Sequence, residues 1–232
     1  MTLQRSAPTA GVAHGAMPAQ SKAPVREPRA ARAPVVRDLR GRSGGGPRSL
    51  DFTAGDIVVV SGLPGSGKST LIRRAAAGRA IDSQNTRDSW AAALPRLLPY
   101  ALYRPAVRAA HYLGLRRALR SGESVVVHDC GTQAWVRRRL ARYAVSRGRT
   151  LHLILLDVTP EVARQGQRER GRGVSGYAFA RHRRAVARLL RDTEQGLLPA
   201  GCTSAVLLDR EAAGAIGRIS FTETEVAAAR AG

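Results

Sequence analysis

The stretch Asp56–Thr70, DIVVVSGLPGSGKST, constrains the fold of this chain more than any other. Ile57 to Val60 is an unbroken β-branched run, which reads as a strand buried on both faces, the kind found in parallel sheets. The run ends at Gly62, passes two further glycines, Gly65 and Gly67, and enters a helical stretch at Lys68. Three more runs share its texture: Glu123–Asp129 (ESVVVHD), Thr150–Val158 (TLHLILLDV) and Ser204–Asp209 (SAVLLD). Helical stretches alternate with them, from Lys68 to about Gly78, Thr132 to about Arg147 and Pro160 to about Arg170. Pro160 suits a first helical turn, where its missing N–H would find no partner anyway. A mostly helical region interrupted by Pro95, Pro99 and Pro105 lies between Ser89 and Ser121. Alternating strands and helices predict an α/β fold with a parallel sheet covered on both faces, three layers in all.

Gly62, Gly67, Lys68 and Ser69 satisfy the pattern G-x-x-x-x-G-K-[ST], and they do so between a strand and a helix, where the pattern acquires its meaning. Glycines there admit backbone angles and close approaches that a Cβ blocks. Successive N–H groups then point inward and, with the helix N-terminus, hold phosphate oxygens. The motif predicts that Gly62, Leu63, Pro64, Gly65, Ser66, Gly67, Lys68, Ser69 and Thr70 bind a nucleoside triphosphate, with Ser69 on Mg²⁺, and hence a P-loop NTPase fold. Lys68 and Lys22 are the only lysines in the chain. A compact ammonium fits between β- and γ-phosphates as a point charge, where a planar guanidinium is too broad.

Which triphosphate chemistry follows is narrowed by what is missing. A guanine-reading N-K-x-D segment needs a lysine, and none follows Lys68, so the usual guanine motif is excluded. Motor-type ATPases usually set Glu directly after the metal-side Asp, whereas Asp129 precedes Cys130 and Asp157 precedes Val158.

The formal net charge is +21, carried almost wholly by arginine. Such a charge suits a polyanionic partner such as nucleic acid, or a surface of solvated arginines. Residues 1–48, rich in Ala-Pro and Arg with no apolar periodicity, read as a disordered leader. Residues 49–221 read as the nucleotide-binding domain, and 222–232 as a tail. No apolar run reaches 18 residues and no signal-peptide pattern opens the chain, so no membrane contact is expected. Cys130 and Cys202 match no metal or redox spacing, and a reducing, cytoplasmic setting is the default.

The motifs SGLPGSGKST, SVVVHDC and LDVTPEVARQGQRERGR resemble those of the small P-loop kinases, the group of zeta-toxin, polynucleotide kinase and chloramphenicol phosphotransferase, over about residues 56–210. The resemblance implies a kinase-like parallel-sheet fold and transfer of the γ-phosphoryl group of ATP to a hydroxyl of a small molecule or nucleotide. It also implies an arginine-rich lid at about 164–176, in which Arg168, Arg170 and Arg172, with Arg164 a turn earlier, neutralise charge on the transferred group. Gly171 and Gly173 would let that lid move. The competing role for these arginines is a solvated helix end. Family members place an Asp and then an Arg after the second strand, as proton acceptor and substrate anchor. Asp82 with Arg87 is the nearest match, with Asp88 the alternative. Polynucleotide 5′-kinase activity and a nucleic-acid-binding ATPase or switch are the other activities considered.

Asp129, ending an apolar strand, is the candidate for the Mg²⁺ side of the site, against a role capping the next helix with Thr132. Asp157, at a similar strand end before the lid helix, reads as structural, and His128 as a core histidine or a catalytic one. Trp90, Trp135, Tyr100, Tyr103 and Tyr112 are core or pocket aromatics. Gly176–Arg191 reads as an amphipathic helix with a basic outer face, solvated or in touch with a polynucleotide.

Overall fold

The computed structural model describes residues 34–42, 44–76, 80–81, 113–129, 134–171 and 173–223. Its centre is β3, Ile57–Gly62, every residue of which is buried. Beside it lie β5, Val125–His128, and β6, Leu151–Leu156. With β1 (Val35–Asp38), β4 (Ala80–Ile81) and β7 (Cys202–Leu208) they form a six-stranded sheet of order β1-β7-β6-β3-β5-β4, in which every pairing is parallel. Val59 faces Val127 on one side and Leu153 on the other. Full burial of such a side chain contributes roughly 1.5–3 kcal/mol. The strand that carries the glycine loop is thus the best-anchored element of the domain.

The period of two along the strands divides the core into two layers. Val58, Val60, Ile154 and Leu208 pack with Leu71 and Ile72 of α1 (Lys68–Ala75) and with Ala212 and Ala213 of α6 (Arg210–Ala215). Ile57, Val59, Leu153 and Leu207 pack on the other face. They meet Leu115 and Leu119 of α2 (113–121), Leu140 and Ala144 of α3 (Ala134–Ser146), and Val186 and Leu189 of α5 (Gly176–Glu194). The three-layer parallel architecture expected from the alternation is the one observed. α4, Pro160–Arg168, starts with Pro160 and is capped by Thr159, whose Oγ1 accepts from the Val162 N–H at 3.4 Å.

The chain enters the domain earlier than residue 49. β1 and Leu39, both placed in the leader by composition, belong to it: β1 pairs with β7, and Leu39 is 1% exposed. β1 is a short edge strand with no buried residue of its own, so no apolar run betrays it. Arg40 then fixes this entry, with Nη1 2.7 Å from both Asp157 Oδ2 and Glu194 Oε1 and Nη2 2.7 Å from Asp38 Oδ2. Asp157 is accordingly a structural partner. A second, two-stranded sheet joins β2, Ser49–Thr53, to β8, Arg218–Thr222. At the amino ends of the central strands, His152 bridges Asp56 Oδ2 at 3.0 Å and Ser204 Oγ at 2.8 Å.

Candidate active site

β3 delivers its last residue, Gly62, to the carboxyl edge of the sheet at φ 149°, and a Cβ there would stand 2.9 Å from the Leu156 carbonyl oxygen. Gly65 and Gly67 follow at φ 91° and 94°. Both angles lie in the left-handed region that glycine adopts without strain. Gly67 is also the N-cap of α1, so the loop runs directly into the positive end of a helix. Nothing lies within 4 Å of where a Gly67 Cβ would stand.

Lys68 is 3% exposed, and its Nζ donates to the carbonyls of Gly62, at 2.9 Å, and Leu63, at 2.6 Å. The ammonium therefore arches back across the loop it follows. Ser66 Oγ is buried with no hydrogen-bond partner. A buried hydroxyl without a partner costs free energy unless something supplies the missing bond. A phosphate oxygen held in the loop is the natural acceptor, and this orphan, with the glycine backbone angles, fits a nucleotide's phosphates. Ser69, 2% exposed at the second position of α1, carries the hydroxyl suited to a Mg²⁺ ion.

The neighbouring strand supplies the carboxylate. The Asp129 N–H donates to the Val60 carbonyl at 2.8 Å, and Asp129 Oδ2 accepts from Ser61 Oγ at 3.3 Å. Oδ2 also accepts from Arg137 Nη1 at 2.6 Å, and both side chains are less than a tenth exposed. Arg137 was not among the residues singled out in the sequence. One signal was there: it shares the stripe 137, 140, 141, 144 on which α3 buries Leu140, Ala141 and Ala144, and an arginine among core positions needs a partner. His128, half-buried, precedes Asp129 on the same strand.

The arginine-rich segment is bound to the loop by direct packing. A Cβ on Gly65 would lie 2.0 Å from the Ala163 carbonyl oxygen, and one on Gly166 2.5 Å from the Gly65 carbonyl oxygen. Gln167, 9% exposed, donates Nε2 to the Pro64 carbonyl at 3.0 Å and accepts the Val174 N–H on Oε1 at 3.0 Å. Arg170 Nη2 reaches Thr70 Oγ1 at 3.1 Å, while Arg168 is exposed at the end of α4. Arg164 lies over the Phe179 ring at 4.8 Å. Arg172, Asp82, Asp88, Arg87, Trp90, Tyr100, Tyr103, Tyr112, Cys130 and Thr132 lie outside the described residues. β4 ends at Ile81, immediately before Asp82.

A parallel sheet with a glycine loop and arching lysine on its central strand, an acidic strand end beside it and an arginine segment packed over the loop defines a P-loop nucleotide-binding domain. Residues 57–195 match the model of the AAA domain family. The match covers more than half of the chain, and the chain belongs to that family.

Among solved structures, one described as a "putative kinase" from Chloroflexus aurantiacus aligns at 17% identity, over 67% of this chain and 85% of that one, with a TM-score of 0.44. The Deinococcus radiodurans tunicamycin resistance protein aligns at 18% identity, over 55% of this chain and 78% of that one, with a TM-score of 0.36. No curated protein matches the chain. No helix among the described residues is long and apolar enough to cross a membrane.

Proposed function

We propose that this protein is an ATP-dependent phosphotransferase that moves the γ-phosphoryl group to a hydroxyl of a small molecule or nucleotide. The observation that supports the proposal is the contact between α4 and the phosphate loop at Gly65 and Gly166, which joins an arginine-bearing segment to the loop that would take the phosphates. Phosphoryl transfer uses cations so placed, because its catalysis is mostly positioning and neutralisation of charge on the equatorial oxygens.

In the step itself, the acceptor oxygen forms a bond to the γ-phosphorus as the bond to the β–γ bridging oxygen breaks, and ADP leaves with that electron pair. The acceptor's proton goes to Asp82. Lys68 holds the β- and γ-phosphates, and Arg168, Arg170 and Arg172 meet the charge that develops on the transferred group. Ser69 and Asp129 would hold Mg²⁺, which when bound neutralises phosphate charge as a Lewis acid.

The test is Mg²⁺-dependent ADP release by the purified protein, with and without 5′-hydroxyl oligonucleotides, nucleosides and small alcohols. Release stimulated by one acceptor class, and lost in both Lys68→Ala and Asp82→Asn, is the expected result. Tight ATP binding with no acceptor stimulating turnover would count against transferase activity.

A further inference from the structure

The helices on one face of the sheet carry a charge asymmetry that the nucleotide site does not use. α2, α3 and α5 all pack their apolar stripes into the same core layer. Their opposite sides therefore form the outer surface of that face. α2 exposes Arg116, Arg117 and Arg120, and α3 exposes Arg138, Arg139 and Arg142. α5 exposes Arg181, Arg184 and Arg188, at spacings of three and four that line them up along the side away from buried Phe179, Val186 and Leu189. Neither α2 nor α3 contains an acidic residue. Those of α5, Asp192 and Glu194, lie in its last turn, where Glu194 is paired with Arg40. The other face is mixed: α1 exposes Arg73 and Arg74, α6 exposes Arg210 beside Glu211, and the β2–β8 sheet region exposes Asp51, Arg218 and Glu223.

Two exposed aromatics lie in first turns of these helices. Trp135, 51% exposed, is in the first turn of α3, just beyond the strand end that carries Asp129; Tyr177, 82% exposed, is in the first turn of α5, just after the segment tied to the phosphate loop by Gln167. Guanidinium groups match phosphate geometry in pairs, and exposed rings offer a face to unstacked bases.

We infer that the α2–α3–α5 face binds the phosphodiester backbone of a single-stranded nucleic acid, with Tyr177 taking a base. The inference stands apart from the phosphotransferase reading, because the face contains no phosphate-loop or lid residue.

The experiment is fluorescence anisotropy of labelled oligothymidylate and oligouridylate against the full chain over a range of salt. Three comparisons run alongside it: the triple variant Arg181→Gln/Arg184→Gln/Arg188→Gln, a matched triple on the other face (Arg73→Gln/Arg210→Gln/Arg218→Gln), and vesicles of phosphatidylglycerol. Wild-type affinity should fall steeply with salt. The α5 triple should weaken binding about tenfold or more at low salt and flatten the log–log slope by about 2, at roughly 0.7 per lost phosphate contact on a single strand. The matched triple should stay within about twofold of wild type. Lys68→Ala should bind oligonucleotide as wild type does, so loss of nucleotide chemistry and loss of this face are read separately.

Retained binding of a fluorescent ATP analogue shows that the α5 triple is folded. If it is not, Arg138→Gln/Arg142→Gln on α3 carries the same test with the same expected direction. Equal losses in the two triples, no oligonucleotide binding at low salt, or binding to vesicles but not to oligonucleotides would each overturn the inference.

Discussion

Gly65 and Gly166 meet backbone to backbone, with no room for a side chain between the phosphate loop and α4: a Cβ on Gly166 would stand 2.5 Å from the Gly65 carbonyl oxygen. Gly166 is not in the left-handed region, so the requirement for glycine there is steric alone. Overpacking of this kind typically costs about 1–3 kcal/mol. Gly166→Ala should lower Tm by about 2–12 °C on the scale of about 2–4 °C per kcal/mol for a domain of this size. It should also weaken binding of a fluorescent ATP analogue, because the loop has to yield. Normal ATP affinity and an unshifted melting curve would show that the contact is looser than drawn.

Lys68 spans the loop to the Gly62 and Leu63 carbonyls from a position 3% exposed. Lys68→Ala should reduce Mg²⁺-dependent ADP release by about 10²–10³-fold, the scale of losing one preorganised donor. Lys68→Arg should not restore it, since the broad guanidinium cannot take the same path. Recovery by arginine to within about threefold of wild type would contradict the point-charge role.

The Asp129–Arg137 pair is buried, and buried pairs respond asymmetrically to mutation. Removing one partner strands the other charge, at a cost of roughly 3–5 kcal/mol, whereas replacing both with apolar groups is often nearly neutral. Asp129→Leu and Arg137→Met should each lower the urea midpoint strongly, and the double variant should recover a large part of the loss. Additive losses across this cycle would mean that the two residues do not depend on each other.

Two titrating groups make the pH dependence concrete. Asp209 is held below its ordinary value chiefly by the Gly41 N–H at 2.6 Å, and next by the Ala212 N–H at 2.7 Å, where it caps α6. A lowered carboxylate stabilises the fold above its unfolded value, near pH 4, and that contribution is lost as pH falls through the lower folded value. Asp209→Asn should therefore shrink the drop in urea midpoint between about pH 5 and pH 3. Burial pushes the Cys202 thiol up to about 12, with Arg137 opposing weakly. At pH 8 it should resist alkylation in the native protein and react readily in urea, as peptide mapping would record. Because the unfolded thiol ionises first, it should also erode stability as pH rises above about 9.

The elements legible in the sequence are those whose signal is local. β3, β5, β6 and β7 show themselves as apolar runs because parallel strands are buried on both faces. The glycine loop is legible because its spacing is set by phosphate geometry. β1 and β2 are legible only after the fact: their stability comes from partners about 170 residues away along the chain, and exposed edge positions tolerate any polar residue. Arg137 was hidden among Arg138 and Arg139, identical in type and different only in the face they occupy. The Gly65–Gly166 contact was hidden for the same reason, since a helix-interior glycine acquires meaning only from what approaches it.

The pairings of β1 with β7 and of β2 with β8 join strands from opposite ends of the described chain. A ribosome releases Val35 and Ser49 long before it releases Cys202 and Arg218, so both early strands must wait without a partner while the residues between them are made. During synthesis the central β3–β5–β6 sheet can assemble first; β7 then adds beside β6 and takes β1 on its other side, while β8 closes on β2 in the separate two-stranded sheet. Termination anywhere before β8 would leave Leu50 and Phe52 without their seam, presenting an open edge to other chains and to proteases.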